Sequence, residues 1–155
     1  MKGMFIINGQ RKQLSFASDE RLLVTLRNNG YKEVKNGCQE GECGACLVLL
    51  NEQPVNSCQI LTASVQGQDI ITVKGIGDLH APHIIQKAFV QTGAIQCGFC
   101  SPGFIISTYA LLQNNPQPDA EQIKQALSGN LCRCTGYVKI IEAVKLAARK
   151  LQEEN

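Results

Sequence analysis

Gly37-Cys38-Gln39-Glu40-Gly41-Glu42-Cys43-Gly44-Ala45-Cys46 places three cysteines within nine residues and gives three of its ten positions to glycine. A loop closing tightly around an inorganic group must adopt positive φ and aim backbone N–H groups at sulfur, which a residue without a Cβ does most easily. Further along the chain Cys58 adds a fourth thiol, and a second set follows as Cys97, Cys100, Cys132 and Cys134. The eight cysteines therefore divide into two quartets with none left over, each having the ligand count of one metal centre.

The C-x4-C-x2-C run with a distant fourth cysteine is the spacing by which plant-type ferredoxins hold a 2Fe-2S cluster. Zinc also takes four thiolates, but its usual sites pair two short C-x2-4-C elements, whereas three ligands here share one loop. Glu40 and Glu42 read as solvated loop residues with a screened effect on any charge nearby. The second quartet runs Gln96-Cys97-Gly98-Phe99-Cys100 and then, after 31 residues, Cys132-Arg133-Cys134. A lone C-x2-C is a weak signal. The C-x-C strengthens it, because cysteines two apart bind one small cluster only from a turn, and Asn130, Thr135 and Gly136 supply turn chemistry. Thioredoxin-type dithiol chemistry would want a βαβ pattern, which is missing. Arg133 reads either as a counter-charge to the cluster, as a contact to a partner subunit, or as half of a surface salt bridge.

At 155 residues and 44% hydrophobic content the chain suits one ordinary domain or two small ones. A formal charge of +2 and no run of basic residues exclude a nucleic-acid-binding surface. Two oxidised clusters on eight thiolates would move that charge to about −2. The N-terminus lacks the apolar core of a secretory signal and no stretch nears the about 18 apolar residues of a membrane span, so a cytoplasmic location without membrane insertion is expected. Eight thiols in that compartment are metal ligands or catalytic groups before they are a disulfide framework. His80 and His83 read as a turn residue and a residue of a helix's first turn. No hydrolytic triad or phosphate-binding glycine motif appears.

Outward from the cysteines, Met4 to Asn8 and Gln10 to Phe16 predict a hairpin turning at Asn8-Gly9. Ser18 is expected to cap a helix beginning at Asp19, with Leu22, Leu23 and Leu26 on one face and a stop at Gly30. A second hairpin, Leu47 to Leu50 with Gln53 to Asn56, and a strand Ile70 to Val73 complete a small roll. Lys74 to Asp78 reads as an aperiodic linker. Helices are expected from Pro82 to Gly93, from Pro102 past Leu112, from the Asp119/Gln122 capping pair to near Gly129, and from Tyr137 to Leu151. The fold class is thus α+β, with a 2Fe-2S domain over residues 1–75 and a helical 2Fe-2S-binding domain over 76–155. Halves this small have marginal cores, so the clusters should also stabilise the fold.

GCQEGECGAC, Cys58, QCGFCSPG and GNLCRCTGY, in that order, resemble the iron-sulfur subunit of the xanthine oxidase family of molybdenum hydroxylases. The resemblance spans nearly the whole chain and accounts for every cysteine. It implies a plant-type ferredoxin-like β-grasp domain followed by a four-helix 2Fe-2S domain. It further implies that Cys97, Cys100, Cys132 and Cys134 hold the cluster nearer molybdenum, and Cys38, Cys43, Cys46 and Cys58 the one nearer the flavin. Gln96 and Cys134 would contact the molybdopterin of a large partner subunit, and a medium subunit would bind FAD. Ser101 and Leu47 stand where the family commonly has threonine, and neither change removes a ligand. The chain would then relay single electrons and make no bonds itself, in an oxidoreductase whose substrate lies elsewhere. Family precedent favours xanthine or another purine, with aldehydes, nicotinate-like heterocycles and carbon monoxide open. A stand-alone ferredoxin-like carrier and a zinc-stabilised interaction module are the competing readings.

Overall fold

Strand β1, Lys2–Ile7, alternates strictly, burying Gly3, Phe5 and Ile7. It turns through Asn8 and Gly9, at φ 51° and 75°, into β2, Gln10–Ser15. Positive φ at both central residues matches the right-handed twist of the flanking strands, which is why this pair makes the turn. The computed structural model describes residues 1–154. Strands β3, Leu47–Leu50, and β4, Gln53–Asn56, form the second hairpin. Strand β5, Asp69–Ile71, fits between the hairpins, giving the order β2-β1-β5-β3-β4 with β1 and β5 parallel. Helix α1, Leu22–Asn28, covers one face of this sheet. Leu22, Leu23 and Leu26 join Phe5, Ile7, Val48 and Ile70 in the core.

Several elements begin or end differently from the expectation. Helix α1 starts at Leu22, not Asp19, because Ala17 to Glu20 close a turn and Arg21 is extended in a bridge to Leu61. Strand β5 stops at Ile71 since the Asn8 side chain captures Thr72: its Oδ1 accepts from the Thr72 N–H at 2.8 Å and its Nδ2 donates to the Thr72 hydroxyl at 3.0 Å. The expected linker is instead partly helical, as α2, Val73–Ile76, whose Val73 and Ile76 pack on the helical core.

The helical half comprises α3, Ile84–Gln91, α4, Ser101–Asn114, α5, Ala120–Leu127, and α6, Val138–Glu153. Asp119 and Gln122 form the expected capping box, and His83 caps α3 by accepting from the Ile85 N–H at 3.2 Å. Tyr137 precedes α6 at φ 70° and so is not its first turn. Helix α4 is buried nearly all round, as a helix clasped between two layers must be. Phe104, Ile105 and Leu112 enter the helical core, while Ile106 and Ala110 meet Leu49 of the sheet. The two halves thereby bring both cysteine-bearing regions to one seam.

Candidate iron-sulfur centres

Gln39, Gly41 and Gly44 take φ values of 64°, 81° and 67°, so the loop from Cys38 to Cys46 reverses direction repeatedly within a few residues. A Cβ on Gly37 would lie 2.6 Å from the Cys43 sulfur, so that position is a cradle only glycine leaves open. Backbone N–H groups turn toward sulfur: Glu40 donates to Cys38 Sγ at 3.3 Å and Cys38 to Cys43 Sγ at 3.4 Å. The Glu40 and Cys43 N–H groups lower the Cys38 thiol to about 7. Such donors stabilise thiolate, the metal-binding form. Cys46 and Cys58 lie at the other side, buried at the end of β3 and in the helical turn Ser57–Gln59. Burial pushes the Cys46 thiol to about 11, with Cys58 as its near neighbour. The Gln59 carboxamide donates to Cys58 Sγ at 3.4 Å, and the Asn56 carboxamide donates to the Gly41 carbonyl at 2.9 Å.

The second quartet gathers where the α3–α4 and α5–α6 connections meet. Cys97 Sγ and Cys134 Sγ lie 3.6 Å apart, close to the about 3.8 Å between two thiolates on one tetrahedral metal with bonds near 2.3 Å. Cys100 pairs with Cys132, and burial first, then that neighbour, pushes Cys100 to about 12. Burial raises the Cys132 thiol most, but hydrogen bonds from the Thr135 hydroxyl at 3.1 Å and N–H at 3.4 Å, together with those from Cys134 and Cys100, outweigh it and leave the thiol below its ordinary range. The Cys132 N–H donates to the Tyr137 hydroxyl at 3.0 Å, pinning the C-x-C turn to the start of α6.

Each quartet thus resolves into two thiol pairs, Cys38 with Cys43 and Cys46 with Cys58, then Cys97 with Cys134 and Cys100 with Cys132. Two pairs are what a two-iron centre takes, one pair per iron, and the all-thiol donor set with N–H groups on sulfur fits it. Among the described residues no three His, Cys, Asp or Glu groups gather as for a single ion. Exposure separates the two centres. Cys97 and Cys134 are exposed, whereas Cys46 and Cys58 are buried. Close to these cysteines in sequence, Ile95, Phe99, Leu131 and Val138 are large apolar residues that are all exposed. Gln96 is exposed beside Cys97, and Arg133 is exposed without an ion pair among the described residues, so the salt-bridge reading of it is not realised. The main cavity, about 960 Å³, lies over α2 and α3 and contains none of the eight cysteines.

Residues 5–70 match the family described as 2Fe-2S iron-sulfur cluster binding domain, and residues 72–145 match a second, described as 2Fe-2S binding domain. The nicotinate dehydrogenase small FeS subunit of Eubacterium barkeri is 45% identical over 93% of this chain and 92% of its own. The chain belongs to the iron-sulfur subunits of the xanthine oxidase family of molybdenum hydroxylases. Xanthine dehydrogenase of Emericella nidulans is 40% identical over 91% of this chain, which there corresponds to 11% of a far longer protein. The structure of quinoline 2-oxidoreductase from Pseudomonas putida 86 superposes with a TM-score of 0.94 at 33% identity, covering 99% of this chain and 96% of the matched one. Membership in this molybdenum hydroxylase family makes the chain a two-domain 2Fe-2S protein of α+β class that functions as a subunit of an oxidoreductase. Among the described residues no helix is long and apolar enough to cross a membrane.

Thr135, Tyr137 and Gln59 were not legible as site residues. Thr135 carries only a turn signal in sequence, Tyr137 only a helix-start signal, and Gln59 nothing beyond adjacency to Cys58.

Proposed function

We propose that this chain relays single electrons between a molybdopterin-binding large subunit and an FAD-binding medium subunit, with one cluster site in each of the units 1–75 and 76–155. Cys38, Cys43, Cys46 and Cys58 hold the first centre, and Cys97, Cys100, Cys132 and Cys134 hold the second. Bound there, each 2Fe-2S cluster supplies a one-electron redox couple. The protein's own part is to deliver eight thiolates in pairs, to aim N–H groups at sulfur, and to set how much water each site meets.

The observation that carries this reading is the exposed Cys97 and Cys134 pair, flanked in sequence by the exposed apolar residues Ile95, Phe99, Leu131 and Val138. An exposed metal centre on a segment that also exposes large apolar side chains suits a permanent interface, where a seated partner excludes water from both. Gln96 and Cys134 stand on this face and would touch the partner's molybdopterin. A stand-alone carrier leaves those apolar side chains in water without a purpose. Eight reduced thiols suit assembly in the cytoplasm.

For the substrate, the similarity to a nicotinate dehydrogenase subunit and to quinoline 2-oxidoreductase favours a nitrogen-containing aromatic ring of that kind. The purine preference drawn from family precedent gains no specific support. Iron, sulfide and zinc analysis of anaerobically purified protein tests the centres, with four irons and four sulfides expected from two 2Fe-2S clusters; stoichiometric zinc without sulfide refutes them. Cys134→Ala should abolish the second centre's spectrum and stop substrate-driven reduction of FAD in the assembled complex, and unimpaired reduction refutes the wiring.

A further inference from the structure

Asn130 lies two residues before Cys132 and is only 3% exposed. The Ser107 hydroxyl of α4 donates to its Oδ1 at 2.7 Å, which fixes the carboxamide's orientation. Its Nδ2 has no hydrogen-bond partner among the described residues. That amide edge lies against the loop of the first quartet: a Cβ on Gly44 would come 2.6 Å from Nδ2 and would strike the Gly129 carbonyl. A Cβ on Gly103, in the first turn of α4, would come 3.0 Å from the same nitrogen and would strike the Gly44 carbonyl. Beside this contact the Leu131 N–H donates to the Cys43 carbonyl at 3.0 Å.

A buried polar side chain with half its hydrogen-bonding capacity unused is destabilising where it lies, and an apolar residue of similar shape would avoid that cost. Its orientation is nevertheless held by a second buried polar group, Ser107. The residues it meets follow or precede ligands of both centres: Gly44 follows Cys43, Gly103 follows Cys100, and Asn130 precedes Cys132. A side chain fixed at one end to α4 and wedged at the other against Gly44 sets the spacing of three cysteine-bearing segments at once.

We infer that Asn130 is a positioning residue for electron transfer between the two centres, acting as a spacer that holds the Cys43–Gly44 turn in register with the Cys132–Cys134 turn. The inference rests on the proposed occupancy of both quartets by 2Fe-2S clusters. The step it governs moves one electron from the reduced second cluster to the oxidised first, with no proton or bond change. Such transfer falls steeply with separation, and so does the magnetic interaction of two reduced clusters, so spacing can be read without turnover.

The test compares the wild type, Asn130→Ala and Ser107→Ala as holo proteins. Iron and sulfide content comes first: a wild type lacking two clusters refutes the underlying reading and not this inference in particular. With both clusters present, dithionite-reduced samples are compared by EPR. In Asn130→Ala both cluster spectra should persist while the splitting between them is lost, and flash reduction should fill the first cluster more slowly. Ser107→Ala, which frees the carboxamide without deleting it, should show a smaller change of the same kind and serves if the alanine variant fails to fold. Wild-type splitting and wild-type transfer in the variants overturn the inference. Loss of a cluster in either variant also overturns it, because the role would then be assembly. Loss of thermal stability alone, with splitting retained, would mark a merely structural residue and overturn it equally.

Discussion

Replacing Gly44 by alanine should destabilise the holo protein far more than the same change at Gly136, although both glycines have left-handed backbones, at φ +67° and +65°. The backbone cost of a Cβ in that region is about 1–2 kcal/mol at either position. At Gly136 nothing lies within 4 Å of the added carbon, so the cost ends there. At Gly44 the carbon meets the Gly129 carbonyl and the buried Asn130 carboxamide, and overpacking of this kind adds about 1–3 kcal/mol. The sum for Gly44→Ala is about 3 kcal/mol, which at about 2–4 °C per kcal/mol for a chain of this size lowers the thermal midpoint by about 10 °C. Differential scanning fluorimetry at one fixed scan rate suits the measurement, because cluster loss makes unfolding irreversible and only matched scans compare. Gly103→Ala separates the two contributions, since its backbone is helical and only the contacts with the Gly44 carbonyl and the Asn130 carboxamide remain. Equal midpoints for Gly44→Ala and Gly136→Ala would refute the seam between the halves.

Further outcomes follow from the same structure. In apoprotein at neutral pH, iodoacetamide should label Cys38 before Cys46 and Cys100, because N–H donors lower the first to about 7 while burial pushes the others to about 11 and about 12. Below its pKa the Cys38 thiolate fraction falls about tenfold per pH unit, so its labelling should fall in step; equal labelling of all three at neutral pH refutes these environments. Leu49→Ala removes the buried sheet side chain in the cluster with Ile106 and Ala110, leaving only the partly buried Leu47 and Ile71 of the sheet there, costing about 3 kcal/mol, and should split one urea transition into two; a single unshifted transition counts against cooperative packing of the halves. Asp119→Ala deletes the capping acceptor of α5 and should cost about 1 kcal/mol by urea titration, with no change in either cluster's spectrum. Removing iron with a chelator should strip helical circular dichroism, since each half is too small for its core alone to hold it and the four-thiolate sites tie its segments together; a native apoprotein spectrum would refute that.

Local chemistry explains which features could be read without coordinates. The Asn8-Gly9 turn and the Asp119/Gln122 capping box each depend on residues a few positions apart, and each formed at its expected place. Two of the misplaced boundaries trace to distant partners. Leu61 holds Arg21 extended and delays α1, and Asn8 reaches 64 residues ahead to end β5. Pattern arguments cannot see such contacts, because the competing group is remote in sequence.

The same division applies to the candidate centres. The sequence by itself determined that eight thiols form two sets of four, because ligand spacing within a tight loop is a local property and every cysteine is used. Only the tertiary structure decided which thiols pair, that Cys97 and Cys134 face outward while Cys46 and Cys58 are enclosed, and that Thr135 and Gln59 donate to sulfur. It also decided that Asn130 and Gly44 join the two loops at one seam. Those features arise where α4 packs against the sheet on one side and the helices on the other, and burial of that helix is a property of the whole fold.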